Sequence, residues 1–384
     1  MEFGLNNKQK EIQELAKRFT DEEIIPRARQ NDIDEHFPIE ILKKMGPLGL
    51  MGGTVPKEWG GSELDFVSDA IIFEEVGRGC SSLRTILSVQ VSLVEQAILN
   101  WGTEEQKRKY LPGLCRGELL GAFAITEPEA GSDAGSLKTT AQKVDGGWLL
   151  NGVKTWISNG GMADVLIIFA RVGKEPGSKA ISAFIVEKGT EGFTTREIKG
   201  KLGLKAANTA VLFFKDSFVP EDALLGNQGE GFKIALSCLD NGRFGVASGC
   251  VGIIQACIDA STQYAKKRVQ FGKSIASFQL VQDMIAKMVV DRDAARLLVY
   301  RAAELKNKGV RNTLESSIAK YFASEAAVRA ATDAIQIHGA YGYSNAFPVE
   351  RYLRDAKVAT IYEGTSQIQK LIIGEHTLGV RAFF

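Results

Sequence analysis

The placement of proline most constrains the fold of this 384-residue chain, because proline breaks the interior of helices and of central strands. Eight of the nine prolines lie at or before Pro220, and only Pro348 follows. The remainder of the chain can therefore be mostly helical. Apolar residues at helical spacing mark three long segments there, at about 229–266, 277–308 and 311–338, and Gly309 separates the last two. Long helices with short connections predict an antiparallel four-helix bundle.

The rest of the chain forms two blocks that differ in the period of their apolar residues. In the first ~120 residues, Ile12, Leu15, Ala16 and Phe19 share one helical face. Short apolar or β-branched runs beside turn dipeptides follow, at 148–157, 165–172, 180–186 and 210–219. The predicted fold class is α+β and mostly α. We predict an N-terminal helical domain over 1–120, a middle β-barrel-like domain over 121–225 and a C-terminal helical bundle over 226–384.

This block order argues against the common nucleotide-binding folds. A doubly wound sheet needs strands and helices in alternation, which an α block, a β block and an α bundle do not provide. The glycine-rich stretch 226–231 lacks the GxGxxG spacing and reads as the turn before a helix, and no GxxxxGK[ST] loop occurs. A Rossmann site is therefore not expected.

Charge and cysteine content favour a soluble protein that binds a small molecule. Lysine and arginine number 47 against 46 acidic residues, so the net field attracts neither nucleic acid nor an anionic membrane. Five cysteines without a CxxC pair indicate a reducing compartment. The acidic N-terminal segment resembles no signal or transit peptide, and no run approaches the ~20 apolar residues of a membrane span. We expect a cytoplasmic protein, or a mitochondrial matrix protein if the chain is processed and eukaryotic.

Two segments at the ends of predicted strands combine hydroxyl and aromatic residues. They are GAFAITEPEAGSD at 121–133 and KTWISNGG at 154–161. A purely structural interpretation is that the segment at 121–133 is a strand end followed by turn residues. In the segment at 154–161, the tryptophan at a strand end is usually part of the core. Beside a pair of hydroxyls, Trp156 could instead face a flat heteroaromatic ring.

Both segments resemble the flavin-binding signatures of the acyl-CoA dehydrogenase family. Further motifs follow in the family's order: KRVQFGK at 267–273, QIHGAYGY at 336–343, RDAK at 354–357 and IYEGTSQIQ at 361–369. The resemblance covers essentially the whole chain, and its α, β, α order matches the three blocks. It implies FAD as cofactor and α,β-dehydrogenation of an acyl thioester, in which a base removes the pro-R α-proton and hydride leaves the β-carbon for flavin N5.

The resemblance implies that Glu363 is this base. An isolated glutamate just before a helix opened by Thr365 would simply complement the helix dipole, but the surrounding motif favours the catalytic interpretation. Some relatives carry the base one position before the arginine of an Asp-x-x-Arg pattern. Here that position is Gly242, which leaves Glu363 for the role.

The resemblance also implies the cofactor contacts. Thr126, Trp156 and Ser158 would hold the isoalloxazine ring, and Ser132 would meet the flavin or the pantetheine side of the substrate. The FAD adenylate would lie across a subunit boundary, which implies a homotetramer. Its contacts would be Arg268, Phe271, Gln336 and Gly339, and the remaining cofactor contacts would be Phe123, Ile125, Ile157, Gln279, Thr365 and Gln367. The family often has Gly-Gly where this chain has Gly339-Ala340.

Substrate contacts are implied in the same way. Asp240 and Arg243 match positions that contact the CoA moiety, although an Asp and an Arg three apart on a helix are also an ordinary ion pair. Gly364 would let the backbone approach the substrate. Arg84 matches the arginine that holds the distal carboxylate in glutaryl-CoA dehydrogenases, but it could instead pair with a nearby glutamate or reach solvent. Similar arginines occur in relatives that act on carrier-protein-bound groups. We predict a short acyl thioester, with a polar or acidic tail as the alternative.

Three further expectations concern partners and metals. Electron-transfer flavoprotein is the expected electron acceptor; the alternatives are an oxidase that uses oxygen and a non-catalytic acyl-thioester-binding protein. Neither nucleic acid nor a membrane is an expected partner. His338 lies inside a motif, but the three histidines lack ligand spacing, so we expect a packed histidine and no metal site.

Overall fold

The computed structural model describes residues 4–173 and 177–382. The helices of the first part are α1 Asn7–Phe19, α2 Ile25–Asp34, α3 Ile39–Met45, α4 Phe66–Gly79, α5 Ser81–Ser88, α6 Gln96–Trp101 and α7 Glu104–Cys115. Short π-helical segments, Thr20–Ile24 and Val89–Glu95, join α1 to α2 and α5 to α6. Sequence signals explain several starts: Asn6 forms a capping box with Gln9, and Asp65 caps α4.

The middle part is one sheet of eight strands. They are β1 Gly121–Ala124, β2 Thr140–Val144, β3 Gly147–Ser158, β4 Val165–Arg171, β5 Ile181–Glu187, β6 Phe193–Glu197, β7 Thr209–Pro220 and β8 Leu224–Leu225. The order is β6-β7-β3-β2-β4-β5-β8, with β1 parallel to β4. The four runs predicted as strands are confirmed as β3, β4, β5 and β7. Strands β2, β6 and β8 were not predicted, since they are short or polar.

Strand β4 shows how the sheet is buried on both faces. Leu166 and Ile168 pack into one apolar cluster, while Ile167 and Phe169 pack into the cluster on the other face. A strand covered on both sides reads as a continuous apolar run, which is what the sequence at 165–170 shows.

The last part consists of helices and one small hairpin. They are α8 Gly231–Lys267, β9 Val269–Gln270, β10 Lys273–Ser274, α9 Gln279–Asn307, α10 Thr313–His338, α11 Val349–Ala359 and α12 Ser366–Leu378. The three long predicted helices are confirmed as α8, α9 and α10, and Gly309 follows α9 with φ +64°. The predicted order of helical, β and helical parts is confirmed.

Helix α8 joins the parts of the protein. A Cβ on Gly77 of α4 would lie 2.7 Å from the carbonyl oxygen of Gly249, and one on Gly252 would lie 2.0 Å from that of Glu74. Helices α4 and α8 therefore cross with their backbones in contact, which only glycine allows. The expectation that no segment is apolar enough to span a membrane needs correction, because α8 has that length and composition. Its most apolar window is 83% buried inside the protein, as in a core helix.

Candidate active site

The loop between α11 and α12 carries Glu363 in a strained conformation. Glu363 has φ +53° and Gly364 has φ +85°, so two successive residues lie in the left-handed region. Thr365 ends the loop as the N-cap of α12, where its Oγ1 accepts a hydrogen bond of 3.2 Å from the backbone N–H of Ile368. Strain of this kind persists only where the surrounding structure holds the backbone.

Two side chains hold this loop by its carbonyl oxygens. The Lys320 ammonium, on α10, donates to the carbonyl of Gly364 at 2.7 Å. The Gln369 amide, on α12, donates to the carbonyls of Gly364 at 2.9 Å and Glu363 at 3.2 Å. Lys320 is fully buried, and burial lowers the pKa of its ammonium to about 8. Neither residue was among the predicted site residues, and no sequence signal near Lys320 marks it.

The Glu363 carboxylate lies against α8 at Gly242. Its Oε2 is buried and has no hydrogen-bond partner within the residues described. A Cβ on Gly242 would lie 1.6 Å from this oxygen, so a side chain there is incompatible with the observed position. Burial raises the pKa of Glu363 to about 7, and the positive charges of Arg84, Lys320 and Arg243 partly oppose the rise.

Arg84 lies in the same region with its charge only partly satisfied. It is buried on α5, and its Nη2 donates to the hydroxyl of Tyr362. Its Nε has no hydrogen-bond partner in the described part of the chain, and none of the carboxylates described there forms an ion pair with it. A Cβ on Gly249 would lie 2.5 Å from its Cδ and Nε. The alternative expectation, that Arg84 pairs with a glutamate or reaches solvent, is wrong.

Asp240 and Arg243 stand on α8 on either side of Gly242. Arg243 Nη1 donates to Asp240 Oδ1 at 2.6 Å, and the hydroxyl of Thr313 donates to Asp240 Oδ2 at 2.6 Å. Arg243 is buried, so this is not the ordinary surface pair that the spacing also allowed. Its Nε has no partner among the residues described, which leaves a donor for a ligand.

The sheet presents a second group of predicted residues, Thr126, Trp156 and Ser158. The pairing of β3 with β7 shifts register between Lys154 and Ile157, and Trp156 lies in this bulge with φ +58°. Its side chain is 60% exposed, whereas a tryptophan in a strand usually packs in the core. Thr126 and Ser158 are both accessible, and the backbone N–H of Thr155 donates to the carbonyl of Thr126 at 3.0 Å. The two predicted flavin segments are therefore neighbours.

Other predicted cofactor residues differ in accessibility. Phe123, Ile125 and Ile157 are buried in the apolar clusters of the sheet, so their side chains offer little surface to a ligand. Ser132 and Gln367 are exposed, in the loop between β1 and β2 and in the first turn of α12.

The third predicted group is far from Glu363 within one chain. Arg268 caps the end of α8, about 39 Å along the helix axis from Gly242 at 1.5 Å per residue. Phe271, at the tip of the β9–β10 hairpin, is 93% exposed, and Gln279, Gln336 and Gly339 are also exposed. One chain does not bring these residues to Glu363.

His338 is a packed histidine, as expected from the sequence. It is buried, its Nδ1 lies 2.8 Å from the carbonyl oxygen of Ala334, and its ring stacks on Tyr264 with centroids 4.3 Å apart. Within residues 4–173 and 177–382, no cluster of three metal-ligating side chains is found.

Sequence models of three protein-family domains match this chain in the order of its structural parts. They are the N-terminal domain of acyl-CoA dehydrogenase at residues 6–118, its middle domain at 122–217 and its C-terminal domain at 229–378. The chain belongs to the acyl-CoA dehydrogenase family. The resemblance seen in the motifs is thereby confirmed, as are the enzyme class and the FAD dependence that characterise this family of oxidoreductases.

Individual acyl-CoA dehydrogenases match over nearly their full length. An acyl-CoA dehydrogenase of Bacillus subtilis (strain 168) is 49% identical over 368 residues, 96% of this chain and 97% of the relative. A glutaryl-CoA dehydrogenase of Desulfococcus multivorans is 43% identical over 386 residues, 99% of each chain. The solved structure of butyryl-CoA dehydrogenase from Megasphaera elsdenii has a TM-score of 0.96 at 40% identity and covers 98% of this chain and 100% of its own.

The residues of this chain fit a flavin. An exposed indole beside two accessible hydroxyls offers a flat apolar wall with hydrogen-bonding groups at its edge. The N-terminal amides of α12, next to Thr365, can donate to an anionic or carbonyl group.

Proposed function

We propose that this acyl-CoA dehydrogenase converts a short acyl-CoA thioester to the 2-enoyl-CoA with Glu363 as the base. The observation that carries the proposal is the Glu363 carboxylate, whose Oε2 is buried, lacks a partner among the described residues and has a pKa of about 7. A general base works best when its pKa lies near the operating pH. A carboxylate kept only for structure would normally be surrounded by hydrogen-bond donors.

Proton removal depends on this chain's own groups. Glu363 takes the pro-R α-proton, and Arg84, Lys320 and Arg243 favour the ionised carboxylate beforehand. The backbone N–H of Glu363 makes no hydrogen bond in the described part of the chain, so it can donate to the thioester carbonyl, where negative charge develops. FAD, when bound, supplies the acceptor, flavin N5, for the hydride that leaves the β-carbon.

Thr126, Trp156 and Ser158 hold the isoalloxazine ring in this proposal. The exposure of Trp156 supports it, because an indole that packs in no core is available for stacking. Ser132 contacts the flavin or the pantetheine side of the substrate. The remaining contacts near the ring are the backbones of Phe123, Ile125 and Ile157, together with Thr365 and Gln367 at the start of α12.

A homotetramer completes the cofactor site. Arg268 lies about 39 Å along α8 from Gly242, so the adenylate contacts of one copy serve the flavin of another. Phe271, which is 93% exposed at the tip of the β9–β10 hairpin, is accessible to a cofactor bound by another copy, as this arrangement requires. The other adenylate contacts are Gln279, Gln336 and Gly339. We further propose the cytoplasm as the compartment, in keeping with five cysteines that are all free and buried.

Asp240 and Arg243 hold the CoA moiety, and Gly364 lies against the thioester. A glutaryl-type substrate is the second candidate for the acyl group. It is favoured by the buried Arg84, whose Nε lacks a partner, and by Ser88 Oγ, which also lacks one among the residues described. A distal carboxylate would satisfy these groups, as charge-assisted bonds to arginine do. A polar acyl group on a carrier protein would satisfy them too, and would bypass the CoA contacts.

A panel of thioesters tests the proposal. Butyryl-, isobutyryl-, octanoyl- and glutaryl-CoA are mixed anaerobically with the purified holoenzyme, and bleaching of the flavin is followed. Fastest bleaching by a short acyl-CoA is expected, and preference for octanoyl-CoA would contradict it. Turnover with electron-transfer flavoprotein against turnover with oxygen then distinguishes the dehydrogenase from an oxidase. Protein that stays colourless with added FAD would be a non-catalytic binder.

A further inference from the structure

A buried ion pair joins the two segments that the proposed function assigns to the flavin. Lys154 Nζ lies 2.7 Å from Glu127 Oε1, and the two side chains are 0% and 5% exposed. Lys154 stands on β3 two residues before Trp156, and Glu127 directly follows Thr126 in the loop after β1. The pair therefore connects the backbones on which both proposed flavin contacts are carried.

Lys154 also binds the loop through its backbone. Its Nζ donates to the carbonyl of Ile125 at 3.2 Å as well as to Glu127. One ammonium group on β3 thus holds the residues on both sides of Thr126. The hydrogen bond from the N–H of Thr155 to the carbonyl of Thr126 fixes the same register.

Glu127 closes the loop on itself. Its Oε1 accepts a hydrogen bond from the backbone N–H of Thr139 at 2.9 Å, and its Oε2 accepts one from that of Lys138. Residues 127 to 139, which include Ser132, are therefore tied at both ends to one carboxylate. The carboxylate therefore has two backbone donors besides the ammonium of Lys154.

Both members of the pair are charged near neutral pH. Burial disfavours the charge on Glu127, but the ammonium of Lys154 and the bonds to the loop outweigh burial and lower the pKa of the carboxyl. Burial lowers the pKa of Lys154 to about 8, and the nearby carboxylate limits the drop. A buried pair of this kind adds little to stability compared with apolar side chains of the same volume, so stability alone does not account for it.

We propose that Lys154 and Glu127 are positioning residues that set the distance and orientation of Thr126 relative to Trp156, and thereby the affinity and the asymmetric environment of the bound flavin. This inference rests on the proposed flavin contacts. The pair touches neither substrate nor reacting atoms, and it acts only through the two segments.

The test compares Lys154→Met, Glu127→Leu and the double variant with the wild-type protein. FAD dissociation constants are measured on apoprotein by quenching of flavin fluorescence, visible circular dichroism reports the environment of the ring, and melting temperatures are measured on the same apoproteins.

Each single variant leaves an unpaired buried charge and should melt at a lower temperature than the wild type. The double variant buries no charge, but it still leaves the backbone N–H groups of Lys138 and Thr139 without their acceptor. It should therefore melt at a higher temperature than Glu127→Leu but below the wild type. If the pair positions the segments, all three bind FAD at least tenfold more weakly and alter the flavin dichroism, including the double variant.

The neighbouring pair Lys138–Glu129 is the matched control, because it lies in the same loop with both side chains largely exposed. Glu129→Gln removes the charge of this exposed pair without changing any residue that bonds to Glu127, so it should leave FAD affinity unchanged. A folded double variant with wild-type FAD affinity would overturn the inference. Thr126→Val and Trp156→Ala separate the two levels of the argument. If they weaken FAD binding while the pair variants do not, only the role of the pair is wrong; if they too have no effect, the proposed flavin site itself is wrong.

Discussion

The carboxylate of Glu363 occupies the space that a side chain on Gly242 would need, since a Cβ there would lie 1.6 Å from Glu363 Oε2. The two residues come from α8 and from the loop before α12, more than a hundred positions apart in sequence. Only one of these positions can direct a side chain into this space. This lack of space is a physical reason why a chain with a glutamate base at position 363 needs a glycine at position 242.

The first prediction concerns the base itself. Glu363→Gln keeps the shape of the side chain but cannot accept the α-proton, so the rate of flavin reduction should fall by about 10² to 10⁴ or more. FAD binding should not change, because the Glu363 side chain makes no hydrogen bond to the proposed flavin residues that the structure describes. Anaerobic stopped-flow absorbance with a short acyl-CoA measures the rate. Glu375→Gln, on the partly exposed surface of α12, is the control, and reduction by Glu363→Gln at the wild-type rate would refute the assignment.

The second prediction tests the space between the two residues. Gly242→Ala places a methyl group where the carboxylate lies, so it should displace Glu363 and slow flavin reduction without loss of FAD. Gly374→Ala, in α12 with no atom within 4 Å of the added Cβ, is the matched control. Moving the base should partly restore the rate: Gly242→Glu with Glu363→Gly is expected to reduce flavin faster than Glu363→Gly alone. Equal rates for these two variants would argue against a shared space.

The third prediction follows from the pKa of Glu363, which burial raises to about 7. The base is active when ionised, so the rate of flavin reduction should increase with pH and level off above neutrality. The positive charge of Lys320 lowers the pKa of Glu363, so removal of this charge should move the midpoint of the pH–rate profile to higher pH. Lys320→Met also loses the bond to the Gly364 carbonyl, so Lys320→Gln, which can keep a donor there, serves as the companion. A pH midpoint that is the same in all three proteins would contradict this coupling.

Several parts of this site could not be predicted from the sequence. The prolines and the change of apolar period predict the three structural parts, and short motifs predict Glu363, Gly242 and Trp156 because those signals are local. The contacts of Lys320 and the hydroxyl partner of Arg84 arise from packing between distant segments. No local sequence pattern indicates that the Lys320 ammonium binds the carbonyl of Gly364 or that Arg84 binds the hydroxyl of Tyr362. The parallel pairing of β1 with β4 likewise joins segments that are distant in sequence.

The fourth prediction concerns Glu95, whose two carboxylate oxygens are buried without a partner among the residues described. Burial, with a smaller effect of Asp69, raises its pKa well above the usual value. A raised pKa of a folded carboxyl means that its contribution to stability is present at low pH and is lost as pH rises through the folded pKa. Glu95→Gln should therefore gain stability over the wild type as pH increases from 5 to 8.

Glu95→Met should gain more stability, because it also removes a buried polar group that has no hydrogen-bond partner. Such a group destabilises the folded protein by about 1–3 kcal/mol. Thermal unfolding of the holoenzyme at both pH values measures the effect, and flavin reduction should be unchanged. Glu191→Gln, on the exposed surface, is the control. A loss of stability in both Glu95 variants at pH 8 would mean that the carboxylate has a stabilising partner.

The last prediction separates the two candidate substrates at Arg84. Removal of this buried cation should raise the pKa of Glu363, since Arg84 is the largest of the charges that oppose the rise. Arg84→Met should therefore slow flavin reduction by every thioester near neutral pH, which would hide any specific effect. On the high-pH plateau of each protein, where its rate no longer increases with pH, the base is ionised, and the ratio of glutaryl-CoA to butyryl-CoA rates there isolates the role of the guanidinium. If Arg84 holds a distal carboxylate, this ratio should fall at least tenfold, as expected for the loss of a charge-assisted bond of about 1.5–3 kcal/mol.

Tyr362→Phe is the control for Arg84→Met. It removes the observed partner of Arg84 but keeps the charge, so it should leave the ratio closer to that of the wild type. An unchanged ratio in Arg84→Met would contradict the carboxylate role and leave the short unsubstituted acyl-CoA as the substrate.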